Sequence, residues 1–320
     1  LRYIADELGC EPEEDAILAA RNATEPVAYA RRLLERSRTG MLLLDSGFTG
    51  GDGFSLDQHA TATGVPQREI VRLETLAEGL VGDSASAGEW LARVRTALRE
   101  AVAQGAVGVK TICAYRASLW LRPVDDDFLA IAFSRLRTIA QTEKPRLTGD
   151  NLCHALLFEA AQECRSLDVP LQVHCGFGDP DEDLAEASPL GLRPLFVDPA
   201  YAGLRVVLLH CYPFHREAAY LCSVFPGVFM DLSLAIPMAA LEGSRAVAEA
   251  LGLCPWSKLL YASDATRLPE VYLVAARLHR EALADAFGEL VERRILTHDA
   301  AVSAGRMVLA ANARGIYRLN

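Results

Sequence analysis

Several things are scarce in this chain, and each scarcity excludes a class of protein. No apolar run reaches the roughly 18 residues that a membrane-crossing helix needs. The first ten residues, Leu1 to Cys10, lack the basic-then-apolar build of a secretory leader. Basic charge is in deficit: 32 Lys and Arg against 42 Asp and Glu leave a net charge of −10. The cations are scattered, with no basic stripe, so a nucleic-acid binder that works by neutralising phosphates is excluded. The eight cysteines contain no C-x-x-C pair, which removes a structural zinc knuckle. The glycine-rich run from Gly47 to Gly53 is not G-x-x-x-x-G-K-[ST], so it is not a phosphate-cradling loop. Finally, no H-x-H occurs among the seven histidines, which are His59, His154, His174, His210, His215, His279 and His298.

What remains is globular. Hydrophobic residues make up 51% and charged residues 23% of 320 residues, enough for one α/β domain with a large core. The cysteines read as small buried hydrophobes in a reducing compartment, so a cytoplasmic location is expected.

Residues 1–40 read as helical, with acids and proline suited to first turns at Glu11-Pro12-Glu13-Glu14-Asp15 and Thr24-Glu25-Pro26. From Met41 onward, apolar runs alternate with helical patterns. Strands are expected at Met41–Gly47, Ile70–Glu74, Ala106–Ile112, Pro170–His174, Leu204–His210, Gly227–Ser233 and Lys258–Asp264. Helices fill the intervals, as at Ser84–Gln104, where Trp90, Leu91, Val94 and Leu98 share a face. Alternating strands and helices imply βα units and a parallel sheet. Eight strands close a (β/α)8 barrel of this size. The chain begins at Leu1 rather than Met, and an eighth strand is expected ahead of it. The expectation is one distorted (β/α)8 barrel domain over residues 1–320.

The strand ends carry the chemistry. Asp45, Glu74, Lys110, His174, His210, Asp231 and Asp264 each fall at or near the carboxyl end of an expected strand. That end is where parallel barrels keep their active sites. Ionisable groups gathered at one mouth are costly unless paired or bound to a metal. Two imidazoles and a carboxylate suit a divalent transition metal, zinc first, with manganese or iron as alternatives. Such a metal makes a water nucleophilic near neutral pH, and the last aspartate can take its proton. Cys175 and Cys211 each follow a strand-ending histidine, and alternation points them away from it.

PLQVHCGFGD, VVLLHCYPFHREAAYL and KLLYASDAT, in that order, resemble the metal-dependent amidohydrolase superfamily, in particular its amidohydrolase-2 branch with the FluG-type, glutamine-synthetase-associated proteins. VGVKTICAYRASL and LAANARGIYRL are similar to the same group. The resemblance implies a distorted barrel in which His174 and Asp264 bind metal and Asp264 also shuttles a proton. His210 matches a residue that is a ligand in two-metal members and a polarising acid or base in one-metal members. Lys110 matches a lysine that some members carbamylate, although here an unmodified lysine holding substrate is preferred. Arg116, with Tyr115, follows that strand and either clamps a substrate carboxylate or forms a surface ion pair. Glu74 and His215 are lesser substrate-binding candidates, and His215 could instead orient the helix it begins. The activity implied is hydrolysis of an amide or other C–N bond in a small carboxylated substrate. A metal-dependent decarboxylase and a catalytically silent binding barrel are the alternatives. Neither nucleic acid nor membrane is expected as a partner, and pairing as a homodimer is compatible with the fold.

Overall fold

A computed structural model describes residues 1–45, 47 and 53–319. The expected glycine-rich loop, Gly47 to Gly53, falls outside the described residues except at its two ends. Among the described residues six strands form one sheet: β1 (Leu42–Asp45), β2 (Gln67–Arg72), β3 (Gly108–Thr111), β4 (Leu171–Cys175), β5 (Val206–His210) and β6 (Val228–Met230). They lie in sequence order, and every neighbour is parallel. Parallel order of this kind needs a crossover between each pair of strands, and the helices supply it. The expected strand at 258–264 is reduced to one bridge, Leu259 beside Met230, with Leu260 N donating to Met230 O at 2.8 Å.

The chain opens with α1 (Arg2–Leu8), α2 (Glu14–Asn22) and α3 (Pro26–Ser37), as residues 1–40 suggested. Glu25 caps α3, accepting from Val27 N and Ala28 N ahead of the proline. After β1 comes α4 (Leu56–Thr63); after β2, α5 (Leu73–Gly79) and α6 (Ala87–Ala103). After β3 come α7 (Asp126–Ile139) and α8 (Asp150–Leu167), and after β4 the short α9 (Arg193–Val197). After β5 comes α10 (His215–Val224), and after β6 come α11 (Ala235–Met238) and α12 (Gly243–Leu251). The chain closes with α13 (Glu270–Glu292), α14 (His298–Arg306) and α15 (Asn312–Ile316). In α13 one helix runs through Gly288, because its buried face from Leu273 to Phe287 outweighs the cost of one glycine. That helix also anchors the N-terminal helices, with Leu273 packed among Ile4, Ile17, Tyr29 and Leu33.

Two layers of core result from alternation along the strands. Leu171, Val173 and Cys175 of β4, with Val206 and Leu208 of β5, face the helices. Val207, Leu209, Ile70 and Leu260 face inward, where Ile316 and Tyr317 fill the interior. Gln172 shares this inward parity and donates to Tyr317 Oη at 2.7 Å. Among the described residues, no helix is long and apolar enough to cross a membrane.

Candidate active site

His174, on β4, follows the inward parity of Gln172 and is buried. Its Nε2 lies 3.2 Å from Glu182 Oε2, in the loop after β4. In this contact Nε2–H is the donor and the carboxylate oxygen the acceptor. The ring of Tyr115 lies against it at 4.5 Å between centroids, and that of His210 at 4.6 Å. Gly176 and Gly178 make the loop possible. Gly176 has φ 81°, and a Cβ there would meet Tyr212 O at 2.2 Å. A Cβ on Gly178 would meet the Tyr115 hydroxyl at 1.8 Å and Glu182 Oε2 at 2.6 Å, so a larger residue there would displace these side-chain ends.

His210 ends β5 with the parity of Leu208, which faces the helices. Plain alternation would send it the same way. Instead His210 and Cys211 adopt φ 66° and 58°, and the ring meets His174. Left-handed backbone at two non-glycine residues costs on the order of 1–3 kcal/mol each. Asp231, just beyond β6, holds this turn. Its Oδ1 accepts from His210 N (2.8 Å), Ser233 N (3.0 Å) and Ser233 Oγ (2.7 Å). Ser233 Oγ lies 2.7 Å from His210 Nδ1. Because the hydroxyl gives its proton to Asp231, it accepts from Nδ1–H, which leaves the lone pair on His210 Nε2. Burial, then His174 and Lys110, pushes His210 well below the usual histidine range, so the ring is neutral.

Asp264 has φ 50° and follows the bridge segment. Burial raises its carboxyl, opposed by Lys110, raised further by Asp231, opposed by His174 and raised by Asp45. Lys110, Asp231, His174 and Asp45 are thus the charged groups that act on Asp264. Lys110 on β3 reaches Asp45 Oδ2 at 3.7 Å, and Arg72 at the end of β2 forks onto the same carboxylate at 2.5 and 2.9 Å.

The structure therefore brings together Asp45, Lys110, His174, His210, Asp231 and Asp264, with Tyr115 over His174. Glu74 is a correction. β2 stops at Arg72, and Glu74 sits in the first turn of α5, where its Oε1 accepts from Thr111 Oγ1 (2.5 Å) and Ile112 N (3.0 Å). It ties α5 to the end of β3, and Arg72 takes the strand-end place expected of it. His215 begins α10 as expected, but its Nε2 is paired with Glu249 Oε2 at 2.8 Å, and its ring stacks on Tyr212. Arg116 follows the turn Cys113–Tyr115, and its Nε and Nη1 are buried without a hydrogen-bond partner. The surface ion pair considered for Arg116 does not occur among the described residues. Burial pushes the thiols of Cys175 and Cys211 well up, which fits buried, inert cysteines. Arg72, Glu182 and Ser233 were missed. Ser233 had a local signal, a serine two residues after a strand-end aspartate, a spacing that favours a side-chain turn. Glu182 had none.

A metal can be tested against these donors. Two imidazoles, each with one nitrogen paired to a protein group, beside a carboxylate, are the right ligand types. Glu182 Oε1, buried and unpartnered beside His174, is a further open oxygen. Among the described residues, however, no three or more His, Cys, Asp or Glu side chains converge as a ready cation cage.

The decisive comparison is with families. The amidohydrolase model (Amidohydro_2) matches residues 49–319. The chain belongs to the amidohydrolase family. Protein fluG of Emericella nidulans is 31% identical over 337 residues, covering 96% of this chain. The chain spans 38% of the length of that relative. A protein of Lactobacillus casei ATCC 334 assigned as a metal-dependent hydrolase is 34% identical, with TM-score 0.89 over 99% of this chain and 83% of that one. The uronate isomerase of Thermotoga maritima, at 14% identity and TM-score 0.64 over 90% of this chain and 69% of that one, shares the fold. The expected distorted (β/α)8-type architecture is thereby borne out.

Proposed function

We propose that this amidohydrolase-family chain is an enzyme that hydrolyses an amide or related C–N bond in a small carboxylated substrate. The observation that carries this reading is the pair His174 and His210, each with one ring nitrogen paired to a protein group, with Asp264 alongside. His174, His210 and Asp264 would hold a divalent metal, zinc being the best match to this mixed set. Such a metal supplies Lewis acidity and a more acidic water near neutral pH.

The chain's own groups do the rest. His210, neutral and with its proton committed to Ser233, fits the role of ligand better than that of proton donor. Asp264, raised by burial and restrained by Lys110, is the group that takes a proton from water at its carboxylate oxygen and passes it to the leaving nitrogen. The Tyr115 ring covers His174 and excludes water from that side. Arg116, with its two open nitrogens, supports a substrate carboxylate. The net charge of −10 supports a small molecule, not nucleic acid, as the partner.

The test combines metal content by plasma mass spectrometry with a panel of carboxylated amides, following amine and carbon dioxide release separately. Amine release with bound metal is expected. Asp264→Asn, folded and metal-loaded, should lose about 100-fold or more in kcat. Carbon dioxide without amine would make the chain a decarboxylase, and protein without metal or turnover would make it a silent barrel.

A further inference from the structure

We infer that the mouth recognises the head group of an α-amino acid, with Arg116 taking its carboxylate and Glu182 its ammonium. This names the substrate class for the site just described and rests on that reading only for the reacting end.

Glu74, bound to Thr111 and Ile112 through Oε1, keeps its buried Oε2 without a hydrogen-bond partner. Two more charged side chains here share that condition: Arg116, through Nε and Nη1, and Glu182, through Oε1. A buried guanidinium N–H or carboxylate oxygen left unpaired is costly. The two do not relieve each other, since among the described residues Arg116 makes no ion pair, while the partner of Glu182 is His174, through Oε2.

Tyr115 connects them. It precedes Arg116 in the chain, and its hydroxyl accepts from Asp179 N at 3.3 Å in the same loop that carries Glu182. The hydroxyl and Glu182 Oε2 crowd the same point above Gly178. Tyr115 also lies on His174, so Glu182 borders the histidine pair directly and Arg116 follows the residue that covers it.

The signs then discriminate among ligands. A neutral amide leaves both groups unpaired. A dicarboxylate satisfies Arg116 and is repelled by Glu182, and a diamine does the reverse. A zwitterion presents one charge of each sign from a single carbon and satisfies both. Glu182 can serve two partners at once, because Oε2 stays on His174 while Oε1 is free.

The experiment is equilibrium binding to the full chain as purified, by thermal shift and calorimetry, using the free L-amino acids as probes. The best binder is then compared with its counterpart lacking the amine and its counterpart lacking the carboxylate. Loss of one charge-assisted contact corresponds to about 10- to 100-fold in affinity, so both counterparts should bind at least tenfold more weakly. Arg116→Gln should erase the advantage over the amine, and Glu182→Gln the advantage over the carboxylate. Simple misfolding would not produce that crossed pattern. No binding of any amino acid up to about 10 mM, or equal binding of the carboxylate counterpart by the unaltered chain, overturns the inference. So does a Glu182→Gln protein that loses bound metal while keeping its amino-acid affinity, since Glu182 would then be a ligand. Binding is read without turnover, so failure of the hydrolase reading leaves this result intact. Turnover of amides that lack an α-amino group would do the opposite.

Discussion

His174 and His210 each close an apolar strand, each precede a cysteine, and reach the same mouth by different routes. His174 arrives by ordinary alternation and is held from outside the sheet, by one carboxylate on the loop after β4. His210 has the wrong parity and arrives by a left-handed turn, held from within by Asp231 and Ser233 just beyond the neighbouring strand. The first arrangement is cheap in backbone and depends on a loop. The second stores strain and needs a buried carboxylate to keep it. One histidine is therefore part of the frame, and the other is adjustable.

The largest expected effect breaks the frame. Asp231→Ala removes an oxygen that accepts three hydrogen bonds in a fully enclosed position. The His210 and Ser233 amides are left unpaired, and a loss on the order of 3–5 kcal/mol should appear in urea unfolding. Glu182→Ala removes one buried hydrogen bond but also an unpaired buried oxygen, so it should cost less, on the order of 1–2 kcal/mol. Equal losses for the two would refute the distinction between frame and loop.

This contrast also explains what could be read in advance. The strand-ending positions of His174, His210 and Asp264 were legible because apolar runs of fixed period stop on them. The helical N-terminal segment was legible from its caps. Glu74 was misplaced because Ile70-Val71-Arg72-Leu73 is apolar enough to continue as strand, and only the three-dimensional demand of the Thr111 and Ile112 donors turns the chain into α5. Glu182 was invisible because its partner is eight residues away across a turn of glycines, and one acid in an acidic loop carries no period. Lys258–Asp264 looked like a strand by composition, yet only Leu259 meets the ladder.

A third histidine sharpens the comparison from outside the site. His279 on α13 is fully enclosed, with Nδ1 donating to Ala275 O at 2.8 Å and Nε2 buried without a partner. Burial pushes it from the usual 6.5 down to about 4. The unfolded chain thus binds this proton more readily than the folded one. Its contribution is complete above about pH 6.5 and is lost as pH falls towards 4, roughly 3 kcal/mol across that window. Urea unfolding at pH 7.5 and 5.0 should show a steeper acid loss in the unaltered chain than in His279→Phe, which keeps the ring against Tyr261. Identical slopes would mean that the ring is hydrated in solution and that burial here is incomplete.

The smallest effect is the most specific. Ser233→Ala leaves Asp231 and its two backbone donors in place, so unfolding should cost only about 1 kcal/mol. What changes is the proton on His210. With Ser233 gone, nothing holds Nδ1–H, and burial still disfavours the charged ring. Nitrogen NMR of the imidazoles should show His210 as the Nδ1–H tautomer in the unaltered chain and a mixture in the variant, with His174 unmoved because Glu182 still fixes it. Turnover should fall with the share of the wrong tautomer, since only an open Nε2 faces the mouth. If His210 keeps its tautomer without Ser233, the hydroxyl is a passenger, and the left-handed turn alone sets which nitrogen is presented.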